Sequence, residues 1–321
     1  MSNVVRIGSR GSDLALWQAR WVQRQLQERH QGLETYIDII KTAGDKILDS
    51  PLSAIGDKGL FTREIETALL NGAIDLAVHS LKDLPTELPA GLVIGAVSKR
   101  EDVRDVFIPH PRNPLRSLLQ QPRGARIATG SLRRKCQLMN LRRDFEVIDL
   151  RGNLNTRLRK LEESDWGGMI LARAGVVRMG WEHLIGESIP PEVILPAVGQ
   201  GALGIEIREG DRRVSELIGS VNHGPTVRAT TAERALLRRL EGGCQVPIGA
   251  FARIASDERD IHTLRIDAMV GSLDGRTIVR AKTHGAPEEG ETLGINLAET
   301  LLAGGADAIL RSIREPAPKQ A

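Results

Sequence analysis

Cys244 lies in the run Glu241-Gly242-Gly243-Cys244-Gln245-Val246-Pro247, directly after a helical stretch. Two glycines ahead of a thiol open backbone conformations closed to other residues and leave space beside the sulfur. The residue types allow two readings, a handle for a bulky group or an inert buried thiol. The other cysteine, Cys136, shares a helical pattern with Leu132 and Met139 and reads as core. Asp83 closes the run His79-Ser80-Leu81-Lys82-Asp83, just past a buried strand and ahead of Leu84-Pro85. Carboxyl ends of strands in open α/β sheets are where ligands bind. A carboxylate there, beside Lys82 and near His79, suits a general acid or the stabiliser of a developing cation. A salt-bridged turn aspartate is the alternative.

A third group is cationic. Arg133-Arg134-Lys135, Arg142-Arg143, Arg151, Arg157, Arg159-Lys160, Arg173 and Arg178 crowd one third of the chain. The planar guanidinium fork bonds carboxylates and phosphates in bidentate fashion, so the cluster suits several small anions. A solvated helix face is the bland reading. It fits Arg151 and Arg157 least, because Arg151-Gly152-Asn153 follows a strand end. Gly56-Asp57-Lys58-Gly59 has the look of a mobile Gly-rich loop within residues 43–59, without the spacing of a P-loop.

Alternating strands and helices position these residues. Val4 to Ile7 reads as a strand, Gly8 to Ser12 as a turn, and Leu14 to Leu26 as a helix with Leu14, Trp17, Trp21 and Val22 on its face. Tyr36 to Ile40 follows as a strand, Leu60 to Leu70 as a helix stopped by Gly72, then strands Ile74 to Val78 and Leu92 to Val97. Such alternation indicates a mainly parallel sheet covered on both faces. Lys99 to Arg112 reads as an irregular crossing between domains. A second unit opens at Arg126-Ile127-Ala128-Thr129-Gly130-Ser131-Leu132, echoing the strand, Gly-Ser turn and helix start at Arg6 to Leu14. Both turns expose helix N–H groups that favour an anion. Strand Val147 to Leu150, helix Thr156 to Leu161 and strand Met169 to Ala172 continue the unit, and the small residues Pro196 to Ala202 return the chain to the first domain. After a break at Val221 to Pro225, a helix from Thr231 to Leu240, strands near Gly249, Leu264 and Ile278, and a helix from Leu293 to Leu302 make a small α+β domain. The tail Glu315 to Ala321 reads as disordered.

Composition narrows the function classes. With 321 residues, 41% hydrophobic and 26% charged, the chain is globular and long enough for two or three domains. Two cysteines without CxxC spacing or histidine partners speak against a disulfide framework and a structural zinc, and no metal is expected. No apolar run reaches the length of a membrane span and the start lacks a signal peptide, so the expectation is a cytoplasmic protein with no membrane partner. A net charge of +3 and 3% aromatic residues leave too few stacking platforms for nucleic acid.

The sequence resembles the porphobilinogen deaminase (hydroxymethylbilane synthase) family over nearly its whole length. The matching segments are IGSRGSDLALWQA (7–19), DKGLFTREIE (57–66), DLAVHSLKDLPT (75–86), TGSLRRKCQL (129–138), LRGNLNTRL (150–158), LPAVGQGALGIE (195–206) and EGGCQVPIGA (241–250). The resemblance implies a transferase that condenses four porphobilinogen molecules head to tail with loss of ammonia, then releases hydroxymethylbilane by hydrolysis, for tetrapyrrole biosynthesis. It implies a dipyrromethane cofactor joined by a thioether to Cys244, and Asp83 as catalytic acid near the pyrrole nitrogens. Acetate and propionate groups of cofactor and growing polypyrrole chain would be held by Arg10, Ser12, Lys82, Thr129, Ser131, Arg133, Arg134, Arg151, Arg157 and Arg178, with Lys58 and Gln18 nearby. The implied fold has two similar α/β domains of the periplasmic-binding-protein kind flanking a cleft (3–98 with 202–220, and 104–196), plus an α+β domain (224–315) carrying the cysteine. A monomer that passes its product to uroporphyrinogen-III synthase is the implied setting.

Three positions depart from the family pattern: Ala54 replaces a lysine, Gly130 a hydroxyl residue, and Arg173 a small or apolar one. A non-catalytic anion-binding protein of the periplasmic type and a basic nucleic-acid-binding protein are the competing readings; both predict that replacing Asp83 or Cys244 changes little.

Overall fold

Val5 and Ile7 are fully buried while Arg6 between them is exposed, the alternation of a strand with one face on a helix. This strand, β1 (Val4–Ser9), opens a chain for which a computed structural model describes residues 3–46, 62–241, 246–256 and 262–314. The other strands are β2 (Glu34–Ile39), β3 (Leu76–Ser80), β4 (Leu92–Val97), β5 (Asp105–Pro109), β6 (Arg126–Ala128), β7 (Glu146–Ile148), β8 (Gly168–Ala172), β9 (Glu187–Ile189), β10 (Leu203–Arg208), β11 (Ile248–Ser256), β12 (His262–Gly271) and β13 (Ile278–Gly285).

Two compact units emerge. The first comprises Met1–Asp102, Ala174–Trp181 and Gly199–Val227. Its sheet has the order β2-β1-β3-β10-β4, with β10 antiparallel to both neighbours and β1 parallel to β2 and β3. The Asp13–Arg29 helix covers one face, burying Gln18, Ala19, Val22 and Leu26; the expected face through Leu14, Trp17 and Trp21 is only half-buried. The Arg63–Leu70 helix covers the other face with Ile65 and Leu69 against Ala77 and Leu92.

The second unit, Val103–Arg173, Glu182–Val198 and Arg228–Ala321, holds a sheet of order β7-β6-β8-β5-β9. Position for position this repeats the first sheet, with β5 as the opposed strand and β6 parallel to β7 and β8. The echo between residues 6–14 and 126–132 thus marks equivalent strand–turn–helix units. The irregular crossing expected over Lys99 to Arg112 is corrected: Asp105–Pro109 is a fully buried strand inside this sheet. Its prolines and charges flank only five apolar-centred residues, too short a run to show a period.

Antiparallel β11, β12 and β13 form a smaller α+β part, packed on the Gly224–Arg239, Gly290–Leu301 and Asp307–Arg314 helices around Leu236, Leu264, Ile266, Leu297 and Leu301. The first of these helices starts earlier than expected because His223 caps it, accepting from Thr226 N at 3.3 Å, and Pro225 suits a first turn. Pro287–Arg314 is long and apolar enough to cross a membrane, yet Leu297, Leu301 and Leu310 are spent on this core and Gly305 breaks the helix at φ 105°.

Candidate active site

In the first unit, β1 and β3 run parallel and end together, so the turns that follow share one edge of the sheet. After β3 the chain tightens into a 3₁₀ turn, Leu81–Asp83, with Leu81 buried and Asp83 exposed. Three ties hold the turn. Leu81 N donates to Ala202 O at 3.0 Å, Leu84 N to Leu81 O at 3.3 Å, and buried Gln18 donates through Nε2 to Ser80 Oγ at 2.8 Å. Gln18 therefore braces the turn from the Asp13–Arg29 helix. Ser12 caps that helix, accepting from Ala15 N at 3.4 Å, and Arg10 precedes it at the same edge. Arg178 also belongs to this unit: its Nη2 donates to Gly201 O at 2.7 Å and its guanidinium lies 5.7 Å from the Trp17 ring centroid. Burial lowers the Arg178 pKa to about 10, with Glu101 opposing. Arg10, Ser12, Gln18, Lys82, Asp83 and Arg178 thus gather around the ends of β1 and β3.

The second unit builds the equivalent edge from Thr129, Ser131, Arg151 and Arg157. Buried Thr129 donates its N–H to Ile148 O at 2.8 Å, and its Oγ1 accepts from Ser131 N at 3.3 Å. Ser131 caps the Leu132–Leu141 helix by accepting from Arg134 N at 3.4 Å. Gly130 lies against Leu150, whose carbonyl oxygen a Cβ would strike. A side chain at this departure from the family pattern would collide before it could hydrogen-bond. Gly152 takes φ 111°, a left-handed conformation, just ahead of the Asn153 cap that starts the Leu154–Glu162 helix. Arg157 Nε donates to Gly152 O at 2.8 Å, and Arg151 Nε lies 3.3 Å from Asp149 Oδ2.

Arg133 and Arg134 are not solvated. Both are buried, and each places Nη2 2.8 Å from one oxygen of fully buried Asp105. Their Nη1 atoms donate to Leu195 O at 2.5 Å and Ile170 O at 3.1 Å. Burial pushes the Arg133 pKa down, with the Asp105 charge opposing. Asp105 was not legible as a partner, since nothing in the sequence links the first residue of β5 to a helix 28 residues on.

Cys136 is core as expected, fully buried, its thiol pushed up to about 12 by burial. Arg142 serves the fold, donating Nη1 to Leu119 O at 3.2 Å and Gln121 O at 2.8 Å, with Phe145 beneath it. Arg173 donates to Ser188 Oγ at 3.2 Å. Cys244, Lys58, Ala54, most of the 43–59 loop and the 315–321 tail lie outside the described residues. Among the described residues, no cluster of three or more His, Cys, Asp or Glu side chains is placed to hold a metal.

Two family descriptions cover the chain, "Porphobilinogen deaminase, dipyromethane cofactor binding domain" over residues 5–216 and "Porphobilinogen deaminase, C-terminal domain" over 227–303. The chain belongs to the porphobilinogen deaminase family. A porphobilinogen deaminase from Desulfitobacterium hafniense is 54% identical over 315 residues, covering 98% of this chain and 99% of its own. One from Moorella thermoacetica is 51% identical, covering 98% of each chain, and one from Carboxydothermus hydrogenoformans is 51% identical, covering 99% of each. Among solved structures, the periplasmic VFT2 domain of Bordetella pertussis BvgS gives a TM-score of 0.42 at 11% identity, over 68% of this chain and 86% of its own.

As a porphobilinogen deaminase, the chain has a dipyrromethane cofactor binding domain, and the residues present fit that group. A dipyrromethane bears acetate and propionate side chains. The Arg133–Asp105–Arg134 triad sets two guanidiniums against one carboxylate, and both Nε atoms are buried without a hydrogen-bond partner among the described residues. Such an excess of buried positive charge is costly unless an anion completes it. Each unit separately also has a serine-capped helix N-terminus, whose N–H groups suit an anion: the Asp13–Arg29 helix in the first and the Leu132–Leu141 helix in the second.

Proposed function

We propose that the chain is a hydroxymethylbilane synthase, a transferase that condenses four porphobilinogen molecules with loss of ammonia for tetrapyrrole biosynthesis, with Asp83 as its acid and Cys244 as the attachment point of dipyrromethane. The reading is supported above all by the Leu81–Asp83 turn, which exposes one carboxylate at a strand end while its neighbours are buried or tied. When bound, dipyrromethane supplies the nucleophilic pyrrole position from which the chain grows.

Asp83 donates a proton toward the departing amine of porphobilinogen and, once ionised, faces the positive charge left on the pyrrole nitrogen. Lys82, Arg10, Ser12 and Arg178 hold substrate and product carboxylates in the first unit, with Gln18 bracing Ser80. Thr129, Ser131, Arg151 and Arg157 do so in the second, above the fixed charge of Arg133 and Arg134; Lys58 adds a further cation. Arginine suits this task because it keeps its charge when desolvated. Cys244, holding dipyrromethane by a thioether, would keep the growing chain in register and so replace a bimolecular search at each cycle.

The three-domain division at 3–98 with 202–220, 104–196 and 224–315 belongs to the same proposal, as do a cytoplasmic monomer and delivery of product to uroporphyrinogen-III synthase. Purified protein should consume porphobilinogen, release one ammonia per molecule consumed and yield hydroxymethylbilane. Binding of porphobilinogen without ammonia release would instead favour a non-catalytic anion-binding protein.

A further inference from the structure

Beneath the Asp83 turn lies a group of buried ionisable side chains that the chemistry above does not use. His79 on β3, Glu206 on β10 and Glu66 on the Arg63–Leu70 helix are 7%, 0% and 6% exposed. His79 Nε2 lies 3.1 Å from Glu206 Oε2. Among the described residues, Glu206 Oε1 and Glu66 Oε1 are buried with no hydrogen-bond partner within bonding distance. Burying carboxylates this way is costly unless charge is matched or a proton is held. Burial pushes the Glu66 carboxyl up and the Glu206 charge adds to this, while Thr62, His79 and Arg63 oppose it. Of the two carboxyls, Glu66 is the one whose surroundings favour the neutral form, and Glu206 is the one in contact with the imidazole.

The sheet register explains how these groups meet and what they hold. Across the antiparallel pair, Glu206 opposes Ala77 and Gly204 opposes His79, so all four residues use one face of the sheet. Ala77 packs there under the Arg63–Leu70 helix, which brings Glu66 to the same face. On its far side β10 shifts register against β4 between Ile205 and Glu206, a bulge of the kind that re-aims a side chain beside an active site. Opposite His79, the space at Gly204 is filled by Leu81 and Leu84 of the Asp83 turn, both of which a Cβ would press upon. The turn is therefore packed on the strand pair that the His79–Glu206 contact joins.

We propose that His79, Glu206 and Glu66 form a buried positioning cluster that fixes the turn bearing Asp83 without touching the reacting groups. This rests on the reading of Asp83 as the acid. A hydrophobic pair at these positions would bind the strands as well, but would not define one separation and one rotamer as a hydrogen bond does. Loosening the turn displaces Asp83 in the chemical step and leaves the arginine contacts to carboxylates intact, so the loss falls on kcat and not on KM.

The test is a series of full-length, cofactor-loaded variants, E206Q, H79Q, H79L, E66Q and D83N. Each is read for melting temperature, cofactor mass, kcat and KM for porphobilinogen. The cluster predicts that E206Q folds, carries the same cofactor mass, and loses about tenfold to a hundredfold in kcat with KM within twofold. H79Q, which keeps a donor amide near the Nε2 position, retains more activity than H79L, and E66Q keeps kcat within twofold because it leaves the His79–Glu206 contact in place. Should E206Q fail to fold, the ordering of H79Q and H79L decides in its place. Variants that melt earlier but keep full kcat per loaded molecule overturn the positioning role while D83N stays inactive. Full activity in D83N would overturn the reading of Asp83 itself.

Discussion

Asp83 differs from its neighbours in being exposed on a turn whose other members are packed: Leu81 and Leu84 are buried and Ser80 is tied to Gln18. A carboxylate held so has little freedom and no burial to overcome, the condition for proton transfer at fixed distance. Asp83→Asn keeps size and removes the proton, so kcat should fall ~10²–10⁴-fold with little change in KM, read from steady-state porphobilinogen consumption. Cys136 gives the opposite case. With its thiol pushed up to about 12, only about one molecule in ten thousand is thiolate at pH 8, so alkylating reagents should leave it untouched until the protein is unfolded. Peptide mapping after alkylation of native and denatured protein checks this. Asp83, Lys82 and Cys136 were legible because each follows or shares a strong local pattern. Glu66 and Glu206 were not singled out, although Glu206 stands alone among Leu203, Gly204, Ile205 and Ile207, a carboxylate in an otherwise apolar strand and a usable signal.

Elements join these residues through short approaches that composition does not reveal. Gly130 touches the Leu150 carbonyl, binding the turn after β6 to the end of β7. Gly130→Ser should cost about 1–3 kcal/mol, measured as a lowered denaturant midpoint, because the added Cβ forces the two turns apart. A second element-level test uses the Arg63–Leu70 helix. Burial raises the Glu66 carboxyl above its ordinary 4.5, so its contribution to stability is complete below that value and is lost as pH rises toward the folded pKa. Glu66→Gln should therefore match the parent near pH 4 and exceed it at pH 8, in urea titrations at both. Strands β1, β3 and β11 to β13 and the paired Gly-Ser turns could be read from periodicity. Strand β5 could not, since five residues between prolines and charges carry no countable period, and the Arg133–Asp105–Arg134 triad is a tertiary contact of that unread strand.

At the scale of the whole molecule, one sheet order occurs twice, β2-β1-β3-β10-β4 and β7-β6-β8-β5-β9. Each copy places a serine-capped helix and a set of cations at the carboxyl ends of its parallel strands. If both edges bind anions, as proposed, their duplication answers a substrate chain that adds two carboxylates with every ring. Asp83, proposed as the acid, and the buried Glu66–His79–Glu206 group belong to the first copy, and the buried arginine pair to the second. Cys244 lies in the segment after the Gly224–Arg239 helix, and it is the residue on which the account turns, because tethered growth requires a covalent start. The most direct measurement is the intact mass of the denatured protein beside that of Cys244→Ser. The account predicts an excess equal to two linked pyrrole units, absent from the variant, with further increments as porphobilinogen is added. A mass equal to the bare polypeptide, unchanged after incubation with porphobilinogen, would contradict it.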